Sequence, residues 1–193
     1  IEKLKIIKKK QLKEKNFFYF DLSNIQKLEF NINKLIKTCG FPHGFINCSW
    51  PKTKDWKKTS FKKINPKIFT QNVNLHMNSF ILMAKIIADQ MVKNKTKGSI
   101  VQLGSIYGSL GQDRNLYKNN PMFESMAYTT IKGGIINNVR ALASYYGEYS
   151  VRVNSLSPGG IYDNHNKKFL KEYIKKTPLK RMAKVEEIAY AAA

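Results

Sequence analysis

The stretch Gly98-Ser99-Ile100-Val101-Gln102-Leu103-Gly104-Ser105 decides the fold. A glycine opens a short run of β-formers, and a Gly-Ser pair closes it. A near-continuous run of this kind marks a strand covered on both faces. Toward the C-terminus follow a polar loop over residues 106–123, a helical stretch from Glu124 to Tyr146, and a strand, Val151-Arg152-Val153-Asn154-Ser155-Leu156. Pro158-Gly159-Gly160 breaks the chain there. Toward the N-terminus lie a long helix from about Pro66 to Val92 and the strand Gly44-Phe45-Ile46-Asn47-Cys48. Farther out, Ser23 is the expected cap of a helix carrying Ile25, Leu28, Ile32, Leu35 and Ile36 at three- and four-residue spacing, stopped by Gly40. Asn16 to Leu22 reads as an aromatic strand and Ile1 to Lys15 as a Lys-laden helix. A basic helix over 166–176 and a helical tail over 188–193 complete the pattern.

Strands that alternate with helices require parallel crossovers. The expected architecture is α/β, a Rossmann-type doubly wound parallel sheet in three α/β/α layers, forming one domain over 1–193. In such a sheet the ligand lies outside the carboxyl ends of the strands. That rule selects Asp21, Asn47 to Trp50, Gly104 to Gly108 and Pro158 to Ile161.

Composition narrows the classes. The 193 residues hold 34 Lys and Arg against 13 Asp and Glu, a formal charge of +21. At 42% hydrophobic and 12% aromatic, the chain buries too much apolar surface to be intrinsically disordered. It has no apolar run of the ~18 residues that a transmembrane helix needs. Only Arg114, Arg140, Arg152 and Arg181 are arginines, and the rest of the basic residues are Lys. Base readout and bidentate phosphate contacts favour Arg, so the charge reads as a solvated Lys-rich surface, not as a nucleic-acid site. Cys39 and Cys48 are too few for a disulfide scaffold, and a reducing cytoplasm is the expected compartment. Cys48 is expected to be a buried thiol. His43, His76 and His165 lack ligand spacing with Cys or carboxylates, so no metal site is expected.

The chemistry centres on Tyr128-Thr129-Thr130-Ile131-Lys132. Tyr and Lys at i and i+4 share one helix face. A phenol titrates near 10, too high for acid–base work at neutral pH, and a nearby ammonium lowers it. Ser105 follows one strand and Pro158-Gly159-Gly160-Ile161 follows another, so both sit at carboxyl ends. Asn74 lies inside the long helix, where Asn has poor propensity.

The order Asn74, Ser105, Tyr128, Lys132, then Arg152-Val153-Asn154-Ser155-Leu156-Ser157-Pro158-Gly159-Gly160, resembles the short-chain dehydrogenase/reductases. Pro51-Lys52-Thr53-Lys54-Asp55-Trp56, Ser105-Ile106-Tyr107-Gly108 and Ser157-Pro158-Gly159-Gly160-Ile161-Tyr162-Asp163-Asn164 resemble the branch acting in flagellin-modifying, nonulosonic (legionaminic-type) sugar pathways. The resemblance implies that Tyr128 is the general acid or base, that Ser105 binds the substrate oxygen, and that Lys132 holds the nicotinamide ribose and depresses the Tyr128 pKa. It implies that Asn74 fixes a relay water. Asp21 matches the acidic residue near the adenine, Asn47 the loop over the adenosine ribose, and Pro158, Gly159 and Ile161 the segment along the nicotinamide. Tyr128 and Lys132 thus serve both catalysis and cofactor binding, and the cofactor implied is NAD or NADP.

Two departures stand beside the resemblance. The family's glycine-rich pyrophosphate turn is absent, so the chain reads as a domain truncated at both ends, without its first βαβ part and last strand. Gly104 to Gly111 is Gly-rich but opens a loop, not a helix, and should not cradle phosphate. The usual Asn-Asn-Ala-Gly stands here as Asn47-Cys48-Ser49-Trp50.

Ser105 and Tyr128 lie 23 positions apart. The loop between them carries Gln112, Asp113, Arg114, Asn115 and Tyr117, which suits a sugar or nucleotide sugar if it covers the cleft; an ordinary surface loop is the equal alternative. The expected function is hydride transfer between nicotinamide and a carbonyl or hydroxyl carbon of a small-molecule substrate, in a homodimer or homotetramer with no membrane or nucleic-acid partner. The alternatives are a 3-oxoacyl-acyl-carrier-protein reductase and a catalytically inactive binding protein of the same fold.

Overall fold

Asn24, Asn65, Ser125 and Asn166 set where four helical segments begin, because each side-chain oxygen accepts a backbone N–H of the first turn. The computed structural model describes residues 18–193. The helix expected over Ile1 to Lys15 and residues 16 and 17 of the aromatic strand lie outside the described residues.

The elements follow the expected order. A 3₁₀ turn, Ile25–Lys27, leads into α1 (Leu28–Cys39), and Gly40 ends it with φ +83°, a backbone region that glycine enters without strain. The cap is Asn24, not Ser23, because the Asn24 carboxamide reaches the Gln26 N–H. Then come β1 (Gly44–Asn47), α2 (Pro66–Asn72), a π-helical turn (Val73–Asn78), α3 (Ser79–Lys93) and β2 (Ser99–Leu103). They are followed by α4 (Met126–Tyr146), β3 (Arg152–Leu156), α5 (Lys167–Lys176) and α6 (Val185–Ala192). The helix expected from Pro66 to Val92 is thus continuous, with one π-helical turn in its middle. Residues 106–123 contain two short 3₁₀ turns, Ile106–Gly108 and Arg114–Tyr117.

The three strands pair in parallel in the order β1-β2-β3. Phe45, Ile100 and Val153 lie side by side in the register and face α1, α3 and α4. Leu28, Ile32, Ala84, Ala88, Met91 and Leu142 fill the space between helices and sheet. One step farther along the same face, Asn47, Gln102 and Ser155 form a polar row at the carboxyl ends. This is the Rossmann-type parallel α/β arrangement read from the sequence.

Two expectations are corrected. Residues 18–22 form no strand, because among the described residues no neighbouring strand supplies the ladder that would hold them. Cys48 is exposed, as is Cys39, and both are free thiols. Asn47 is buried at the end of β1, and strand alternation turns the next side chain outward.

Candidate active site

The loops after β2 and β3 are tied together by backbone hydrogen bonds from Gly104 N to Leu156 O (2.8 Å) and Ile106 N to Pro158 O (3.1 Å). These bonds hold Ser105 and Pro158 at one end of the sheet. Gly108 fits closely against α4, since a Cβ there would stand 2.7 Å from the Lys132 carbonyl oxygen. The glycines of this loop therefore serve helix packing. Gly159 and Gly160 lie under Tyr173 of α5, whose hydroxyl accepts the Gly160 N–H at 2.5 Å.

Ser105 is buried, and its Oγ accepts the Tyr107 N–H at 3.2 Å. Tyr128 sits beside it in the first turn of α4, below the Ser125 cap. Burial pushes the Tyr128 phenol above its ordinary value, and the Ser105 hydroxyl opposes that rise. The phenol of Tyr173 adds to it. Lys132 lies one turn on and is only 3% exposed. Its ammonium donates to Leu103 O at 2.7 Å and stands 5.5 Å from the Trp50 ring and 5.4 Å from the Phe80 ring. Burial brings its pKa down to about 8. The structure therefore brings Ser105, Tyr128 and Lys132 together. It does not show the phenol lowered by the ammonium, because the ammonium is directed to the Leu103 carbonyl.

Asn47 is buried, and its Oδ1 accepts from the N–H and hydroxyl of Ser49, while its Nδ2 has no partner. Ile161 bridges in parallel to Ala183 and so anchors the segment after Gly160. Asp21 closes a turn by accepting the Ser23 N–H at 2.8 Å, which holds its carboxyl below the usual range.

Asn74 is not brought to this cluster. Its side chain is exposed and accepts only from Asn78 at 2.9 Å. The helix turns Asn72 and His76 inward instead, and both are 0% exposed. Asn72 Oδ1 accepts the Thr53 N–H (3.0 Å), and its Nδ2 donates to Thr53 Oγ1 (2.8 Å) and Ile68 O (2.7 Å). Asn72 thereby pins the loop that carries Trp50. The helical phase could have found it: Phe69, Val73 and Phe80 mark a buried face that includes 72 and 76 but not 74. Replacing Asn72 by Ala removes three hydrogen bonds of a fully buried carboxamide and leaves the part-buried Thr53 N–H without that partner, so urea unfolding should show a loss of about 1–3 kcal/mol. An unchanged midpoint would remove Asn72 from this role.

Sequence reasoning also missed an aromatic group around the cleft. Trp50 packs edge-on against Tyr128 (5.2 Å), His76 (5.0 Å) and Trp56 (5.8 Å), and Tyr107 lies 6.4 Å from Tyr128. Tyr107 is raised by burial, with Tyr117, Tyr173 and Asp113 close enough to add to it. Gln112 donates to the Tyr117 hydroxyl at 3.2 Å, and its buried Oε1 has no partner. Lys176 of α5 ion-pairs with Asp113, joining the loop to that helix. The loop over 106–123 thus presents phenols and a carboxamide on the side of Tyr128. Among the described residues no three His, Cys, Asp or Glu side chains cluster as a metal would require, and no helix is long and apolar enough to cross a membrane.

A family model described as Enoyl-(Acyl carrier protein) reductase matches residues 3–193. The Post-translational flagellin modification protein A of Campylobacter coli is 32% identical over 168 residues, covering 87% of this chain and 65% of that protein. Glucose 1-dehydrogenase 2 of Bacillus subtilis is 31% identical over 126 residues, covering 63% of this chain and 45% of that protein. The crystal structure of a short chain dehydrogenase from Leptospira borgpetersenii with bound NAD+ superposes with a TM-score of 0.78 at 28% identity, covering 90% of this chain and 65% of that one. The chain therefore spans less than two thirds of the length of these relatives. That likeness extends to the doubly wound three-layer architecture. With the matched family model and the Ser105, Tyr128 and Lys132 arrangement in hand, the chain belongs to the short-chain dehydrogenase/reductase family.

Proposed function

We propose that this chain forms the catalytic part of an NAD(P)-dependent oxidoreductase that interconverts a carbonyl and a hydroxyl on a sugar or nucleotide sugar. The observation that carries the reading is the convergence of Ser105, Tyr128 and Lys132 at the carboxyl end of β2. The residues fit a nicotinamide cofactor. Asn47 offers a buried, unpartnered Nδ2 donor at the end of β1, and Lys132 offers an ammonium with only one carbonyl partner. Asn47, Lys132, Tyr128, Pro158, Gly159 and Ile161 would hold it, with Asp21 toward the adenine. The cofactor supplies or accepts the hydride. Ser105 orients the substrate oxygen, and Tyr128 gives it a proton in reduction or takes one in oxidation.

The substrate class is supported by the phenols of Tyr107 and Tyr117 and the free Gln112 Oε1, which suit hydroxyl groups better than an acyl chain. The sugar substrate in the name of the Bacillus subtilis relative agrees with this. Leu82, Tyr145 and Tyr149 on the outer faces of α3, α4 and the turn after it leave apolar surface for a homodimer or homotetramer.

A panel of sugars, nucleotide sugars and 3-oxoacyl thioesters, assayed with NAD(H) and NADP(H) by nicotinamide absorbance, tests the reading. Turnover of a hydroxylated substrate is expected. Turnover of the thioester alone would favour the acyl-carrier reading, for which the family model's description and the net charge of +21 speak. No hydride transfer on any substrate would overturn both.

A further inference from the structure

We propose that Trp50 selects the substrate: it is the platform on which the reacting ring of a cyclic sugar lies while Ser105 and Tyr128 hold the reacting oxygen. The inference deepens the oxidoreductase reading above and rests on it. Trp50 follows β1 at the place where Asn-Asn-Ala-Gly ends in glycine, so an indole fills what the shorter residue leaves open. Its centroid stands 5.2 Å from the Tyr128 ring and 5.5 Å from the Lys132 ammonium. A group resting on Trp50 is therefore the part of the substrate that reacts, not a distant substituent. Trp56, His76 and Tyr128 meet the indole at 70°, 89° and 62°. None of these rings lies flat on it, and Trp50 stays only half-buried at the cleft.

The fold fixes the loop that carries Trp50. Asn72 holds Thr53 through its backbone N–H and its hydroxyl. Thr59 Oγ1 and Ser125 Oγ lie 2.8 Å apart, both residues buried, and Ser60 bridges to Ser125 in antiparallel fashion. Ser125 is also the cap of α4, whose Oγ accepts the Tyr128 N–H at 3.2 Å. The loop and the catalytic turn are thus stitched at one residue. The spacing between indole and phenol is set before a ligand arrives, which spares the cost of ordering the platform on binding.

The two sides of the cleft differ in chemistry. Trp50 enters from the β1 side of β2. The Tyr107 phenol, whose ring is 6.4 Å from that of Tyr128, neighbours Tyr117 and the Tyr173 of α5, which follows β3. An aromatic face is electron-rich and complements groups of partial positive charge. A pyranose with equatorial hydroxyls carries axial C–H groups on its flat faces and hydroxyls around its rim. With the C–H face on Trp50, the rim is left to the phenols and to the unpartnered Gln112 Oε1. An open-chain polyol offers the same hydroxyls without the flat face, so this cleft distinguishes cyclic from open-chain sugars.

Trp50→Phe keeps an aromatic face, and Trp50→Leu keeps apolar bulk without one. Both are compared with wild type in the protein that carries this chain. The probes are the methyl glycoside of the sugar turned over in the panel and the open-chain polyol of the same configuration, each as a competitive inhibitor. Wild type should bind the glycoside more tightly. Trp50→Leu should lower that preference by about three- to tenfold, the worth of one aromatic contact, and raise KM more than it lowers kcat. Trp50→Phe should keep most of the preference. Damage to folding weakens both inhibitors alike and leaves their ratio unmoved. An unchanged ratio in Trp50→Leu would reduce Trp50 to packing and overturn the inference, as would equal losses in the two variants. A fall in NAD(H) affinity in Trp50→Leu, read by fluorescence, with the ratio intact would put the indole against the cofactor and overturn it too. Turnover of 3-oxoacyl thioesters alone would overturn the sugar platform and leave the oxidoreductase reading standing. A wild type without hydride transfer on any substrate would remove both.

Discussion

Replacing Tyr128 by Phe in the protein that carries this chain should cut turnover by roughly 10²- to 10⁴-fold, the range that a positioned acid–base group contributes. The ring remains packed edge-on against Trp50 at 5.2 Å and near Tyr107 at 6.4 Å, so the change removes the hydroxyl and little else. Binding of the nicotinamide cofactor, read by fluorescence, should persist through Asn47 and Lys132. Burial raises the Tyr128 phenol, so it stays protonated at neutral pH. That is the state needed to give a proton to a carbonyl oxygen. Alcohol oxidation needs the phenolate instead, and its rate should climb with pH while reduction does not. Full turnover in Tyr128→Phe would sink the assignment of the catalytic acid.

Lys132 carries the second large effect, and it appears in stability. At 3% exposure its ammonium has a pKa brought down to about 8, against 10.5 for a free lysine. Below pH 8 the ammonium is charged in both folded and unfolded chains, and the folded state bears the whole cost of burying it. As pH rises from 8 to 10.5 the folded chain sheds that proton while the unfolded chain keeps it. Stability from this group therefore rises with pH across that window, by about 3 kcal/mol. Lys132→Met keeps the stem and removes the charge, so its unfolding free energy should lack that rise. Urea unfolding of both proteins at neutral and alkaline pH measures the difference, with other groups cancelling between them. Parallel pH curves would show that the charge is better solvated than its burial implies. The same variant should lose turnover, since the ammonium beside Tyr128 is gone. A site that is costly to fold yet needed for chemistry is a familiar trade-off.

The sheet was legible because β1, β2 and β3 are short apolar runs bounded by glycine, polar residues or proline, and because parallel strands alternate with helices of sufficient length. The aromatic run before Ser23 had the same local signal, but a strand needs a neighbour, and residues 18–22 have none among the described residues. Ser105, Tyr128 and Lys132 were legible because strand ends and i, i+4 spacing place them without tertiary knowledge. Asn74 was misplaced for the converse reason. Its neighbours Asn72 and His76 share its polar character, and only the position of the buried face separates them. Trp50, Phe80, Tyr107, Tyr117 and Tyr173 come from separate segments, so no spacing rule could assemble them. Their meeting around Tyr128 and Lys132 is a property of the folded chain alone.

The π-turn at Val73–Asn78 also has a bearing on how this helix tolerates change in length. One residue added to a regular helix rotates everything beyond it by about 100°. A π-turn absorbs that extra residue locally and lets the rest of the helix keep its aim. Upstream, Asn72 can then face the Trp50 loop, while downstream Met83, Ile87 and Met91 still face the sheet. The two halves of the helix are out of phase by one residue, and each half is in phase with its own partner. Deletion of a single residue within the turn would leave a regular α-helix with both halves still on their partners, whereas a deletion on either side of it would turn one half away from the cleft or the core.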